Sequence, residues 1–264
     1  MIKAIVFDFQ EIKLSEDCNF LKNAKKAGLK IGLIGKEAKI FKERPNPELY
    51  QHSFLNLGSS ADETVIIGDK PETQRTARNA KCISIGVGSR ELERKFILEG
   101  ADLVLESLDQ FPNFSTIEEF DILLEKEIKA FYDRTIIGTL IETAVETRKN
   151  AYAPYSNFKV GAGLLTEKGN VYGGCNVENA SFGATICAER GASMAALAAE
   201  GKTKFEMIAV ASSAEDPAPP CAICRQFLSE FMPPDGQIFL ISVKSGVIKH
   251  YSFEALLPCT FTEF

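Results

Sequence analysis

Apolar residues in the first part of the chain come in short unbroken runs, separated by stretches of helical spacing. IKAIVFDF, KIGLIG, TVIIGD, KCISIGV and ADLVLES read as strands. CNFLKNAKKAGL reads as an amphipathic helix ending at Gly28, PELYQHSFLNLG as a helix closed by Gly58, and PETQRTARNA as a third helix. A strand covered on both faces has no polar side, so its run is continuous rather than alternating. Strands and helices in alternation predict crossover units and a mostly parallel sheet.

The pattern changes at PNFSTIEEFDILLEKEIKAFYDR. This stretch is charged, and Phe120, Leu123, Leu124, Ile128 and Phe131 recur at helical spacing. It predicts a connecting helix over 112–133, and its apolar stripe must cover a domain or a partner chain. Residues 1–111 form one predicted domain and 134–264 another. The second opens with the helix IIGTLIETAVETRKNAYA, stopped before Pro154. FKVGAGLLTEKGNVYGGCNV predicts a hairpin turning at Lys168, Gly169 and Asn170. The helix TICAERGASMAALAAEG, the strand FEMIAVASS, the helix CAICRQFLSEF and two strands in QIFLISVKSGVIKHYS complete it.

With 264 residues, 45% of them hydrophobic, the chain suffices for two medium domains. A net charge of −6 and a pI near 5.2, with no basic stripe, argue against a nucleic-acid partner. No apolar run reaches membrane-spanning length, and MIKAIVFDF lacks a signal-peptide cleavage pattern. Seven cysteines, an odd number scattered over a long chain, fit reduced thiols or metal ligands in a cytoplasmic protein better than a disulfide framework.

The chemistry concentrates in two stretches of the second domain. In PPCAICRQFLSEF, Cys221 and Cys224 are three apart and share a helical face just after a proline that suits a first turn. In TICAERG, Cys187 starts a helix of its own. Thiols at helix starts meet unpaired N–H groups and the positive end of the dipole, which favours the thiolate. Three thiolates suit zinc and leave a fourth position for water, a catalytic layout. Cys18, Cys82 and Cys259 look like ordinary thiols. Cys175 is the alternative fourth ligand, which would make the site structural. Glu189, two residues after Cys187, can reach a water on the metal without ligating it. Taken alone it would be a solvated first-turn glutamate. With Pro-Cys-x-x-Cys downstream it is similar to the proton-shuttling glutamate of zinc nucleobase deaminases. Three thiolates also leave a zinc site negative. Arg190 is the nearest compensating charge, against a plain surface arginine as the alternative.

YAPYSNFKVGAGLL, GGCNVENASFG, CAER, PPCAICRQFLSEF and LLPCTF, in that order, resemble the small three-cysteine cytidine deaminases across residues 134–264. The resemblance implies a mixed five-stranded α/β/α sandwich and one zinc ion per chain on Cys187, Cys221 and Cys224, with Glu189 as the proton shuttle. It implies Phe158 beside the base, Asn176 and Glu178 on the ribose hydroxyls, and Ala188 and Phe261 as further substrate contacts, Phe261 reaching a neighbouring chain's site in a homotetramer. The implied reaction is hydrolysis of cytidine, and of deoxycytidine, to the uracil nucleoside and ammonia in pyrimidine salvage. Phe182 departs from the family's usual tyrosine and puts one interface hydrogen bond in doubt. A structural-zinc nucleoside-binding protein is the alternative of a different class.

Residues 1–111 resemble the capless, Rossmann-like core of haloacid-dehalogenase phosphatases, near the phosphoglucomutase branch. Asp8 stands at the nucleophile position, Asp69 is a candidate Mg²⁺ ligand, and Arg44 stands in for the family's lysine. Gln10 replaces the general-acid aspartate, and no serine or threonine is in register after the second strand. A non-catalytic domain is therefore expected. A nucleotide phosphatase using Mg²⁺ is the disfavoured alternative.

Overall fold

A computed structural model describes residues 1–10, 14–34 and 48–260, with side chains from Tyr50 in the last stretch. The chain divides into two compact units, Met1–Tyr132 and Asp133–Phe264. Arg44 and Phe261 lie outside the described residues.

The first unit runs β1 (Ala4–Asp8), α1 (Asn19–Ala27), β2 (Lys30–Ile34), α2 (Glu48–Leu57), β3 (Thr64–Gly68), α3 (Pro71–Asn79), β4 (Ile83–Val87), α4 (Glu93–Leu98), β5 (Leu103–Leu105) and α5 (Ile117–Asp133). Its sheet has the order β2-β1-β3-β4-β5, every pair parallel. The central strands β1 and β3 are buried at all five positions, as their unbroken apolar runs require. Gly28 ends α1 in the left-handed region, its N–H turned back on the carbonyls of Ala24 and Lys25. The sequence reading missed α4, a helix of six residues.

The apolar stripe of α5 is used within the first unit. Phe120 sits in a ring cluster with Phe20, Phe111 and Phe114, at centroid distances of 6.1, 5.6 and 4.9 Å. Each such ring contributes roughly 1.5–3 kcal/mol by leaving water. At the far end the Tyr132 hydroxyl donates to Asp102 Oδ1 at 2.9 Å, and Asp102 is ion-paired with buried Arg78.

The second unit runs α6 (Ile136–Arg148), β6 (Val160–Thr166), β7 (Val171–Cys175), α7 (Ala188–Glu200), β8 (Phe205–Ser212), α8 (Ala222–Ser229), β9 (Gln237–Ser242), β10 (Ile248–Ser252) and α9 (Phe253–Leu256). The five-stranded sheet is mixed, in the order β10-β9-β8-β6-β7, with β8 and β9 its one parallel pair. The β6–β7 hairpin turns at Gly169, in the left-handed region, with the Thr166 N–H on Asn170 O at 3.0 Å.

Glycines on the hairpin let helices approach both faces. A Cβ on Gly161 would lie 2.0 Å from Ala144 O of α6, and one on Gly174 would lie 2.2 Å from Ala192 N of α7. Alternate positions of a strand face opposite sides, so α6 covers one face with Gly161 and Gly163 beneath it. On the other face, Ala162 packs in one core with Ala188, Ala192 and Ala196 of α7.

The first helix of this unit ends at Arg148, earlier than the position before Pro154 expected from sequence. Residues 151–153 are drawn off by a partner: Tyr152 bridges Val177, and its N–H donates to Asn176 O at 3.0 Å. The four-residue α9 was likewise not anticipated.

Candidate active site

Both α7 and α8 begin on a cysteine. Cys187 and Cys221 are N-caps with extended backbone, and neither side chain bonds to its own helix end. Cys224 lies one turn into α8 and is fully buried. The Sγ atoms of Cys187, Cys221 and Cys224 all lie within 4.8 Å of one another, and those of Cys187 and Cys221 are 3.8 Å apart. Two sulfurs on a tetrahedral zinc, each at about 2.3 Å, would be about 3.8 Å apart, so the donor set fits that ion. Among the described residues this is the one group of three potential ligand side chains so arranged, and Cys175 is not part of it.

The trio is poised to lose a first proton. Hydrogen bonding from Cys224, then from Arg190 and Cys221, pulls the Cys187 thiol down to about 5 against the opposing effect of burial. The same bond to Cys187, with burial, holds the Cys224 thiol protonated. A divalent cation held by the three sulfurs would favour their thiolate forms.

Glu189 is the second residue of α7 and 4% exposed. Burial first, and then the charge of Cys187, pushes its carboxyl up to about 7. Next to it Arg190 turns back over the site: Nη2 donates to Thr185 O at 2.8 Å and approaches Cys187 Sγ at 3.8 Å. Burial works against its charge, while hydrogen bonds to Cys187 and Cys224 and the charge of Cys187 hold the guanidinium ionised. Among the described residues its buried Nε has no partner.

Backbone pairing brings the other candidate residues alongside. Val177 and Ile186 exchange N–H···O bonds of 2.9 and 3.0 Å, which joins the Asn176–Glu178 segment to the residue before Cys187. Asn176 holds the neighbouring loop. Its Oδ1 accepts from Val160 N at 2.8 Å, and its Nδ2 donates to Phe158 O at 2.9 Å. The Glu178 carboxylate accepts from Tyr155 N at 2.8 Å, from Ser156 N at 3.2 Å and from the Ser156 hydroxyl. Bonding from Ser156 comes first among the causes that lower its pKa. Phe158 is 38% exposed and follows Asn157, a non-glycine residue at φ 57°. Ala188 is fully buried, and Phe182 is exposed.

The sequence reading missed Thr185 and Ser156. Thr185 acts through its carbonyl, which any residue would supply. Ser156 lies inside YAPYSNF, where its proximity to Glu178 is a product of folding.

In the first unit Asp8 ends β1 level with Gly68 of β3, at the switch point of the sheet. Asp8 is fully buried. Its Oδ2 accepts from the Tyr50 hydroxyl at 2.9 Å and from Thr73 Oγ1 at 3.4 Å. Asp69 Oδ1 accepts from the Gln10 N–H at 2.8 Å. Asp8, Gln10 and Asp69 are thus together, and Tyr50 is a neighbour that no motif announced.

Residues 135–239 match a family profile described as the cytidine and deoxycytidylate deaminase zinc-binding region. A cytidine deaminase of Halalkalibacterium halodurans is 44% identical over 123 residues, 47% of this chain and 92% of its own length. The crystal structure of a cytidine deaminase from Burkholderia pseudomallei aligns at 46% identity and a TM-score of 0.45, covering 47% of this chain and 98% of that one. A β-phosphoglucomutase structure from Clostridium difficile aligns at 22% identity and a TM-score of 0.33, covering 42% of this chain and 55% of that one.

Proposed function

We propose, from the premise that the chain belongs to the cytidine deaminase family, that it hydrolyses cytidine and deoxycytidine to the uracil nucleoside and ammonia, in pyrimidine salvage in the cytoplasm. The observation that carries this reading is the convergence of three thiols with a buried glutamate beside them. Cys187, Cys221 and Cys224 would hold one zinc ion per chain, whose Lewis acidity makes water a nucleophile near neutral pH.

The remaining work belongs to this chain's side chains. Glu189 takes the proton of the water that attacks C4 of the cytosine ring, passes it to N3, and assists departure of the amino group as ammonia. One water is consumed, the C4–N bond breaks and a C4–O bond forms. Phe158 offers a ring face to the base, and the buried Ala188 backs the pocket at the helix start. Asn176 and Glu178 bind the ribose hydroxyls: the carboxylate retains acceptor capacity beside its bonds to the 155–156 turn, and Asn176 keeps a second amide hydrogen. Arg190 offsets the charge of the thiolates. Phe261 completes a neighbouring chain's site in a homotetramer.

Residues 1–111 are a non-catalytic domain in this reading. A phosphoryl acceptor must be open to its substrate, whereas Asp8 is buried under the Tyr50 hydroxyl. Gln10 also has no proton to give a leaving group.

The deciding experiment measures bound zinc and ammonia release from cytidine on the full-length chain. Stoichiometric zinc with turnover is expected. Stoichiometric zinc without turnover on cytidine or deoxycytidine would favour a structural site and defeat the reading.

A further inference from the structure

Pro217, Pro219 and Pro220 lead into α8, so three of the four residues before Cys221 have no backbone N–H. Such a stretch is held in place chiefly by donors brought to its carbonyls. Cys221, the residue it delivers, is an exposed N-cap with no side-chain cap bond. The other two thiols are held in different ways. Cys224 is buried inside the helix, and Cys187 follows the Val177–Ile186 pair and lies under Arg190. The Cys221 carbonyl accepts from Arg225 N at 3.0 Å, as that of Cys187 does from Gly191 N, so what distinguishes Cys221 is the proline segment in front of it.

Arg225, on the first turn and a half of α8, supplies the missing donor. Its Nε donates to Pro220 O at 2.7 Å, and its Nη1 donates to Leu256 O at 2.8 Å. Leu256 is the last residue of α9, where carbonyls lack helical partners. Leu256 and Leu257 pack against the core of the second unit. One guanidinium therefore fastens the proline segment to a point anchored in the core.

We propose that Arg225 is a positioning residue of the three-thiol site: by tying Pro220 to Leu256 it holds Cys221 within ligating distance of Cys187 and Cys224. This rests on the reading of the three thiols as a zinc site. The planar fork of arginine reaches two carbonyls at once, whereas a lysine ammonium is a single point. Lysine at this position would keep the charge and lose half of the tie.

The test compares full-length wild type, Arg225→Ala and Arg225→Lys. Zinc affinity is read by competition with a chromophoric chelator, and ligand geometry by the thiolate charge-transfer bands of the cobalt-loaded proteins. We expect zinc affinity to fall about 10–100-fold in Arg225→Ala, the usual cost of losing a residue that orients a metal ligand. We expect a smaller fall in Arg225→Lys, and altered cobalt bands in both. A lowered melting temperature with unchanged affinity and unchanged bands would reduce Arg225 to a stabilising contact and overturn the proposal. Should Arg225→Ala not fold, Arg225→Lys decides: affinity and bands equal to wild type overturn it. A wild type that takes up no zinc defeats the site reading and this inference together. A wild type that loads zinc beside an Arg225→Ala protein that matches it defeats this inference alone.

Discussion

Glu189 and Arg190 are consecutive in sequence and oppositely charged, and each should fail in a different way when replaced. Glu189 lies beside the thiols without joining them. Glu189→Gln keeps the shape and one hydrogen-bond donor but removes the exchangeable proton. We expect it to fold and bind zinc normally while turnover falls by ~10²–10⁴-fold, the usual range for a general acid–base. Steady-state kinetics alongside metal analysis checks this, and wild-type turnover would sink the assignment. Arg190→Ala leaves the three sulfurs in place and removes the cation beside Cys187. Activity should drop by a larger factor than zinc content, measured on the same preparations. At this scale the sequence was legible wherever chemistry depends on spacing: Cys-x-Glu and Pro-Cys-x-x-Cys place their side chains on helix starts whatever surrounds them. Bonds such as Ser156 to Glu178, Tyr50 to Asp8 and Arg225 to Leu256 join residues far apart in the chain, and no local pattern encodes them.

The helix α7 carries Cys187 and Glu189 at one end and is stapled at the other. Glu200 Oε1 accepts from Thr166 Oγ1, Asn170 Nδ2 and Tyr172 Oη at 3.1, 2.7 and 3.0 Å. The Asn170 bond is the first cause that lowers its pKa below the ordinary 4.5. A carboxylate with a depressed folded-state pKa stabilises the fold above its unfolded pKa, and loses that contribution as pH falls through the folded value. Glu200→Gln should therefore melt below wild type at neutral pH, with the gap narrowing under pH 4.5. Thermal unfolding followed across that range tests the sign, and a gap that widens in acid would refute it. The closeness of α6 to the sheet makes a second prediction. Gly161→Ala puts a methyl 2.0 Å from Ala144 O. The loss should be ~1–3 kcal/mol or more in a denaturant titration, since backbone cannot step aside as a side chain does. Most elements were legible in the sequence because unbroken runs and helical spacing were strong. The misplaced end of α6 shows where that signal stops: Ala151–Ala153 suits a helix by composition, and only its distant partner Val177 makes it extended. The short α4 and α9 carry too few turns to show a period.

At the scale of the whole molecule, the two units ask for separate assays. The full-length chain should release no phosphate from nucleoside monophosphates with Mg²⁺, and Asp8→Asn should leave cytidine turnover unchanged. Phosphate release that Asp8→Asn abolishes would mean that Tyr50 yields to substrate and that the first unit is an enzyme. The tie between Tyr132, Asp102 and Arg78 bears on how such a gene can be divided. A cut before codon 132 strips Tyr132 from Asp102, and one before codon 120 also strips Phe120 from its ring cluster. The truncated product would then present a bared aromatic patch to the cell's quality control. Between the last helical residue of α5, Asp133, and the first of α6, Ile136, stand only Arg134 and Thr135. A reading frame that yields each half intact must therefore break within that short seam, and breaks placed elsewhere should be recognised by their yield of insoluble protein.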